Sequence, residues 1–407
     1  MLKKEYLIEH VRKGTPLTEI VREIAAQVIT EALAIEADMF IEDRQELMDN
    51  GKRRLVLHGT QNERDILFPF GVVPVKTPRI TDRKAEGEPI AFASRMVPRY
   101  LKRSNDLAEF IPWMYLKGIS ESDFQSVFEA LHGQKVKGLS SSTINRMMDC
   151  WVKEFSSWES RDMSKERYAY VWADGIYSKV RGEKENVCQL VLLGVGEDGR
   201  KALVGMGEGY AESSENWREL LVKLRSQGME APRLVIGDGG LGLWSGLRKV
   251  FPDCARQYCW VHKLRDVVRH LPKSRHFEAT RQVRDIYMSE SKFEAGRKIA
   301  TMGKSLGVKH PKAAETLTKW TDELLGFYDF PAEHWRNLRS TNAIESLFST
   351  IRLRTGKTKG RLSRSRLGAL LFKLAQTASE KMRAISHHEK VKLVLDGTLF
   401  MDGEEIM

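Results

Sequence analysis

Two aspartates in this sequence follow short apolar segments, and each is itself followed by glycine. Asp174 comes after Val171-Trp172-Ala173, and Asp238 comes after Leu234-Val235-Ile236-Gly237. If these segments are neighbouring strands of one sheet, both carboxylates lie at the same edge, close enough to share divalent metal. Mg²⁺ favours carboxylates together with phosphate oxygens, and two metal ions about 3.5–4 Å apart can activate a nucleophile and stabilise a leaving oxygen. The alternative for each aspartate is an ordinary Asp-Gly turn after a strand.

A third carboxylate, Glu345, stands alone in a basic segment. From Arg336 to Lys373 there are ten lysines and arginines and no other acidic residue. We expect the cations to hold a polyanion and the carboxylate to help hold a metal ion against it. Glu345 also fits a capping box, with Asn342 as the N-cap of a helix and Glu345 at its third position. The two roles are compatible.

Helical spacing orients Glu345. The spacing predicts a buried apolar stripe along one side of its helix and a polar stripe beside it. The apolar stripe consists of Ile344, Leu347, Phe348 and Ile351, and the polar stripe consists of Asn342, Glu345, Ser349 and Arg352.

Composition limits the class of protein. A chain of 407 residues, 42% of them hydrophobic, holds about two or three domains with sizeable cores, which excludes global disorder. The net charge of +11 and the pI near 9.3 point to a polyanionic partner, nucleic acid first and an anionic membrane second. Four cysteines are too few for a disulfide framework. There is no apolar run of about 18 residues and no apolar signal-peptide core, so we expect an intracellular protein.

The first 160 residues are predicted to be mainly helical. Residues 1 to about 60 have apolar positions near helical spacing, whereas residues 66–98 contain five prolines and are predicted to be extended, hairpin-like or a linker. From about 104 to 158 the pattern is helical again, interrupted at Gly118-Ile119-Ser120 and Gly138-Leu139-Ser140. One helix would run from Ser120 to Leu131 and another from about residue 140 through Val152. Such a pair fits either a DNA-binding helix-turn-helix or a plain helical bundle.

From about residue 163 the pattern alternates between strands and helices. Three successive strands are predicted at 168–173, 187–195 and 202–206, then a helix at 216–227, a strand at 233–237, a helix at 241–251 and a further strand at 255–260. This order predicts a mixed α/β sheet. Residues 262–335 are predicted to be helical and basic, and closing helices are predicted at 342–354 and 367–387.

Two other motifs point to weaker alternatives. Gly237-Asp238-Gly239-Gly240-Leu241-Gly242 matches the dinucleotide-binding pattern, but an aspartate in that loop would repel a pyrophosphate. Cys259 and His262, with Cys254 nearby, suggest zinc, but no second pair follows at finger spacing. A structural role for His262, in the core or near the active carboxylates, is favoured over metal binding.

Four motifs occur in an order that resembles one protein family. They are Ala173-Asp174-Gly175-Ile176-Tyr177-Ser178-Lys179-Val180-Arg181, Gly237-Asp238-Gly239-Gly240-Leu241-Gly242-Leu243, Cys259-x-x-His262-Lys263 and Ser340-Thr341-Asn342-x-x-Glu345-Ser346. Together they resemble the bacterial Mutator-type insertion-sequence transposases, with matching order and spacing from about Pro74 to Ala384. Two departures, Asp266 where relatives often carry Asn and Gly175 where Ala is common, leave the three acidic residues intact.

The resemblance implies a fold and a site. The fold would be an RNase H-like α/β core of the DDE type, with an all-helical insertion between the second aspartate and the glutamate. Asp174, Asp238 and Glu345 would form the catalytic triad, while Cys259, His262 and Asn342 would belong to supporting signatures. The expected domains are a helical and extended region at 1–100, a helix-turn-helix-like DNA-binding region at 101–162, the core at 163–262 and 336–407, and the insertion at 263–335.

The expected activity is metal-dependent cleavage and strand transfer of the DNA ends of the element itself. One Mg²⁺, or Mn²⁺ in its place, would activate water and later a DNA 3′-OH, and a second would stabilise the departing 3′-oxygen. Phosphate contacts are expected from Lys179, Arg181, Lys263, Arg352, Arg354 and Lys357. The partners would be double-stranded DNA, as terminal inverted repeats and as target, and a second copy of the chain. We expect a bacterial cytoplasmic, nucleoid-associated protein.

Two rival functions remain. One is a non-catalytic DNA-binding regulator with a degenerate nuclease-like core. The other is a nuclease or resolvase that cuts DNA without joining it.

Overall fold

The computed structural model describes residues 4–48, 50–84, 89–117, 119, 121–132, 141–209, 211–358 and 362–406. The chain divides into two compact units, Met1–Asn145 and Arg146–Met407. The predicted interruption at 138–140 lies outside the described residues, as do Gly118 and Ser120 of the earlier one. Across the described ranges, no helix combines the length and the apolar character needed to cross a bilayer.

The first unit contains helices around two small antiparallel strand pairs. Its elements are α1 (Lys4–Lys13), α2 (Leu17–Glu42), β1 (Leu55–Thr60), β2 (Arg64–Phe68), β3 (Gly71–Val75), β4 (Pro78–Asp82), α3 (Asn105–Leu116) and α4 (Glu121–His132). β1 pairs with β4, and β2 with β3. Of the alternatives given for residues 66–98, the hairpin-like one is observed at its start, where β2 pairs with β3. Apolar side chains of this hairpin pack with Leu33 of α2 in a buried cluster.

The prediction of helix up to about residue 60 was wrong at its end. α2 stops at Glu42, and Leu55–Thr60 is a strand whose residues pair with Pro78–Asp82. The backbone groups of this short segment are bonded across to β4, so tertiary pairing decides its conformation over the helical tendency of the preceding residues. The next helix, α5 (Ser141–Glu159), spans the division between the units and runs beyond the predicted end at Val152.

The second unit contains a five-stranded mixed sheet. Its strands are β5 (Tyr170–Ser178), β6 (Val187–Val195), β7 (Lys201–Gly209), β8 (Leu234–Gly237) and β9 (Ala255–Tyr258), in the order β7-β6-β5-β8-β9. β5, β6 and β7 are antiparallel neighbours, whereas β8 runs parallel to β5 and β9 parallel to β8. All nine residues of β6 are buried, which requires both faces of the sheet to be covered. The predicted mixed α/β sheet is confirmed.

Helices complete this unit. α6 (Ser214–Ser226) and α7 (Leu241–Val250) lie between the strands in the chain, and α6 begins at an N-cap where Ser213 accepts from the Asn216 N–H at 3.2 Å. Helices and short 3₁₀ turns follow β9, in agreement with the prediction for 262–335, and the C-terminal part adds three further helices and a short hairpin. These elements are α8 (Trp260–Arg269), α9 (His276–Tyr287), α10 (Lys292–Gly307), α11 (Pro311–Thr318), α12 (Thr321–Leu324), α13 (Trp335–Leu338), α14 (Asn342–Thr358), α15 (Arg364–Ser379), α16 (Glu389–Leu395), β10 (Phe400–Met401) and β11 (Glu404–Glu405).

The last predicted helix, 367–387, was wrong at both ends. α15 begins at Arg364 and ends at Ser379. Beyond it the Ile385 N–H donates to the Gly199 carbonyl in the turn between β6 and β7. The chain is thereby bonded to the sheet where the prediction continued the helix.

Candidate active site

Asp174 lies inside β5, two residues beyond the last pair that β5 makes with β8. That last pair is Trp172 with Ile236, and Asp174 is paired on its other side with Val191 of β6. The predicted strand end at Ala173 was therefore wrong, and so was the alternative of a turn at Asp174-Gly175. The strand continues to Ser178 because the residues after Asp174 keep pairing with β6. The side chain is half-buried, and its Oδ1 accepts from the Gly175 N–H at 2.8 Å.

Asp238 occupies the equivalent place on the neighbouring strand. It stands two residues after Ile236, just past the end of β8. Its Oδ1 accepts from the Gly240 N–H at 2.8 Å, and its carbonyl accepts from the Trp244 indole at 2.8 Å. Since β5 and β8 are parallel neighbours, equal displacement from the same pair brings the two aspartates to one edge of the sheet. The register thus confirms the prediction that both aspartates lie at one edge of the sheet.

Electrostatics links Asp174 to both other acidic residues of the predicted triad. Burial is the main cause that raises the pKa of Asp174 to about 6, and the charges of Asp238 and Glu345 raise it further. The Gly175 N–H and the His262 ring act in the opposite direction. Close carboxylates in a partly desolvated place repel one another, and a cation relieves that repulsion. Such hard oxygen donors fit Mg²⁺ or Mn²⁺ in their chemistry. Within the described residues, however, no three His, Cys, Asp or Glu side chains are gathered into a ready ligand set.

Glu345 lies near the start of α14, whose buried stripe is as predicted. Ile344, Leu347, Phe348 and Ile351 are all fully buried, while the Glu345 side chain is 36% exposed. The predicted capping box was wrong, because the helix already includes Asn342 and the Glu345 N–H bonds to the Thr341 carbonyl at 3.0 Å. That bond is the regular one between a residue and the fourth before it, so Glu345 is at the fourth helical position. Its Oε1 accepts from the Thr341 hydroxyl at 3.1 Å.

Cys259 and His262 adjoin Glu345. Cys259 is 1% exposed, its Sγ accepts from the Thr341 N–H at 3.3 Å, and the Thr341 hydroxyl oxygen lies 3.3 Å from the same Sγ. His262 Nδ1 lies 3.4 Å from the Thr341 hydroxyl, and its Nε2 lies 3.9 Å from Glu345 Oε1. A hydrogen bond with Cys259 raises the pKa of His262 to about 9. Burial would raise the pKa of the Cys259 thiol, but hydrogen bonds from His262 and Thr341 lower it on balance. The predicted position near the carboxylates is thus observed.

Glu212 is a fourth carboxylate at this edge that the sequence reasoning missed. A Cβ on Gly175 would lie 2.6 Å from its Cδ, and a Cβ on Gly242 would lie 2.2 Å from its carbonyl oxygen. Gly175, directly after Asp174, and Gly242, four residues after Asp238, therefore leave space for this one residue. Burial is the main cause that raises the pKa of Glu212 to about 7, and the charges of Asp238 and Asp174 raise it further. The glycines were the signal in the sequence, but nothing local identifies the residue for which they make room.

The six predicted phosphate-binding cations occupy different environments. Lys179, Arg181 and Arg352 are exposed. Arg354 is 3% exposed, and the Lys263 ammonium donates to the carbonyls of Thr316 at 2.9 Å and Lys319 at 3.0 Å. Burial lowers the pKa of Lys263 to about 8. The side chain of Lys357 lies outside the described residues. A role in DNA contact stays a prediction for all six.

Known proteins with similar sequences come from insertion sequences. The family model described as "Transposase, Mutator family" matches residues 2–363. The transposase for insertion sequence element IS6120 of Mycolicibacterium smegmatis is 44% identical over 297 residues, which cover 73% of this chain and 92% of that protein. The transposase for element IST2 of Acidithiobacillus ferrooxidans is 39% identical over 280 residues, covering 69% and 95% of the two chains. The transposase for element ISRM5 of Rhizobium meliloti (strain 1021) is 28% identical over 336 residues, covering 82% and 81%.

Proposed function

The chain belongs to the Mutator family of transposases, and on that premise we propose that it is a DDE transposase that cleaves and joins the DNA ends of its own insertion sequence. The observation that carries the proposal is the equivalent placement of Asp174 and Asp238 on neighbouring parallel strands, with Glu345 electrostatically coupled to the first of them. Carboxylates that hold divalent metal suit a reaction in which the nucleophile is water or DNA and no side chain needs to attack.

The proposal includes an RNase H-like core. The sheet order β7-β6-β5-β8-β9, with three antiparallel strands followed by two parallel ones, supports it. So do the helices that lie in the chain between Asp238 and Glu345, which would be the insertion. The preceding helices at 101–162 would bind the terminal inverted repeats, and a dimer would bring two ends together. The boundaries 163–262, 263–335 and 336–407 are part of the same proposal.

Divalent cations would be held by Asp174 and Asp238, with Glu345 as the third donor. The chemistry that Mg²⁺ or Mn²⁺ supplies when bound is polarisation of the attacking oxygen and stabilisation of charge on the phosphate. The chain itself orients the aspartates through backbone groups, since the N–H groups of Gly175 and Gly240 each bond to one carboxylate oxygen. This leaves the second oxygen of each aspartate for a ligand.

The exposed cations beside this edge would hold the DNA backbone. Lys179 and Arg181 directly follow the strand that carries Asp174, and Arg352 lies two helical turns after Glu345. The backbone N–H of Arg181 donates to the Leu362 carbonyl at 2.9 Å, which ties the end of β5 to the segment before α15. Phosphate contacts at these positions would set the register of the duplex but would carry no sequence information.

A nicking assay on the DNA ends tests the proposal. Inverted repeats in the DNA that flanks the gene would identify the substrate. Asp174→Ala should abolish metal-dependent cleavage and leave end binding intact. Asp253→Ala, at an exposed position in the turn after α7, should leave both cleavage and end binding intact. Full cleavage by Asp174→Ala would refute the triad.

The products separate the rival functions. Joining of 3′ ends to new DNA identifies a transposase, and cutting without joining identifies a nuclease or resolvase. Binding without any metal-dependent cleavage by the unsubstituted protein identifies a regulator.

A further inference from the structure

The Glu345 side chain is not held by its own helix. It is more than one third exposed, and the backbone N–H of Glu345 makes the regular helical bond to the Thr341 carbonyl. A long flexible carboxylate in such a position has several rotamers of similar energy. The contacts that select one of these rotamers come from Thr341, which directly precedes α14, and from His262 of α8.

The Thr341 hydroxyl lies at the centre of these contacts. It has one proton to donate and three neighbours, at 3.1 Å from Glu345 Oε1, 3.3 Å from Cys259 Sγ and 3.4 Å from His262 Nδ1. A carboxylate oxygen is a stronger acceptor than sulfur, and it is also the nearest of the three. The proton therefore goes to Glu345. The lone pairs of the hydroxyl then face His262, while Cys259 keeps the bond from the Thr341 N–H.

The segment before Glu345 is bonded directly to β5 and is linked to the end of β8 through Cys259. The Trp172 indole in β5 donates to the Ser340 carbonyl at 3.1 Å, and the Trp260 N–H donates to the Arg339 carbonyl at 2.9 Å. The Cys259 N–H donates to the carbonyl of Gly237, the last residue before Asp238, at 2.8 Å. Cys259 thus connects the end of β8 to Thr341 through one residue.

We propose that Cys259, His262 and Thr341 form a positioning relay that orients the Glu345 carboxylate toward Asp174 and Asp238. The inference rests on the proposed function, because it takes Glu345 as a catalytic carboxylate. It gives a physical reason for two sequence patterns at once. Cys259 and His262 are three apart at the start of α8, and Thr341 and Glu345 are four apart at the start of α14, so each pair lies on one helical side. The Cys259 sulfur lies 3.3 Å from the Thr341 hydroxyl, so the two pairs are in contact.

The decisive variant is Thr341→Val, which keeps the shape of the side chain and removes the hydroxyl. Residues that orient a metal-binding carboxylate typically contribute about 10–100-fold to metal affinity or activity. We expect Thr341→Val to lower kcat for end cleavage by about that factor and to leave KM for the DNA ends unchanged. Thr341→Ser, which restores the hydroxyl, should recover most of kcat. Thr350→Val, an exposed threonine on the same helix, is the matched control and should behave like the unsubstituted protein.

Metal binding gives a second readout that does not depend on activity. Titration of the DNA-free protein with Mn²⁺ should show weaker binding for Thr341→Val by about 10–100-fold and near-normal binding for Thr341→Ser. His262→Gln, at a side chain that is 21% exposed and so tolerant of change, should weaken Mn²⁺ binding in the same direction if Thr341→Val does not fold.

The outcomes separate the relay from the proposed function. Unchanged kcat and Mn²⁺ affinity in Thr341→Val, or equal losses in the valine and serine variants, would overturn the relay. Full cleavage by Glu345→Gln would overturn the proposed triad instead. In that case the Mn²⁺ titration of Thr341→Val against the unsubstituted protein still decides whether the relay orients a metal-binding carboxylate.

Discussion

The metal-free protein should become more stable when Asp174 loses its charge. Asp174→Asn is nearly isosteric, and its side-chain oxygen can still accept the Gly175 N–H that Asp174 accepts at 2.8 Å. The substitution removes a carboxyl group whose pKa is raised to about 6, first by burial and then by the charges of Asp238 and Glu345. At pH 8 the negative charge of this carboxyl group is present in the folded protein and opposes folding.

The magnitude follows from the shift. The ordinary value for Asp174 is 3.8, so the rise is roughly two pKa units, or about 3 kcal/mol at 1.36 kcal/mol per unit. Partial solvent contact and the coupling between carboxylates reduce this to about 1–2 kcal/mol. The sign is that of an acid with a raised pKa. The folded state holds the Asp174 proton more tightly than the unfolded state does. The stabilisation that this proton gives the folded state is therefore full below pH 4 and is lost as the pH rises through about 6.

Guanidinium unfolding in EDTA, followed by tryptophan fluorescence, measures this difference. Of the nine tryptophans, Trp113 alone precedes residue 146, so the signal reports mainly on the second unit. The free energy of unfolding of Asp174→Asn should exceed that of the unsubstituted protein by about 1–2 kcal/mol at pH 8, and the two should be equal near pH 4. Asp253→Asn, at an exposed turn, should stay within about 0.5 kcal/mol at both values. A variant no more stable at pH 8, or a difference independent of pH, would refute the electrostatic reasoning.

Two further predictions concern the space and the charge around the site. Gly175→Ala places a Cβ 2.6 Å from Glu212 Cδ, so it should displace that flexible carboxylate and slow cleavage, with a change in the free energy of unfolding below about 1 kcal/mol. Gly356→Ala, where nothing lies within 4 Å, should leave cleavage unchanged in the same nicking assay. If Arg352 contacts a phosphate, Arg352→Ala should reduce the slope of log affinity against log salt by about 0.9, and an unchanged slope in a binding titration would show that it makes no such contact.

The positions of the two aspartates could be predicted from the sequence, whereas their surroundings could not. An apolar run followed by Asp-Gly is a local signal. The register of β5 and β8 confirmed that the two such runs place their aspartates at one edge of the sheet. The continuation of β5 beyond Asp174 depends on pairing with β6, and pairing across strands overrides the local turn preference of Asp-Gly. Glu212 is brought in by the loop before α6, which no local pattern announces.

The burial of Arg354 could have been predicted from the sequence, while its predicted phosphate contact stays a prediction. Arg354 stands three residues after Ile351 and seven after Leu347, so the spacing that predicts the buried stripe of α14 places Arg354 on the same side. Its charge led to a prediction of phosphate contact, yet the side chain is 3% exposed. Helical periodicity was the better guide to burial than residue type. The same periodicity places Arg352 on the exposed side, where it is found.

The site combines carboxylates that are held in two different ways. Asp174 and Asp238 are fixed by strand register and by adjacent N–H groups, so their positions follow from the sheet itself. Glu345 stands on a helix that leaves it 36% exposed, and side-chain contacts from Thr341 and His262 orient it. The aspartates are therefore fixed in position, and burial together with neighbouring charge disfavours the ionised form of Asp174, whereas the Glu345 side chain is adjustable. We accordingly expect substitution of Asp174 to change the stability of the metal-free protein, and substitution of Thr341 to change metal affinity.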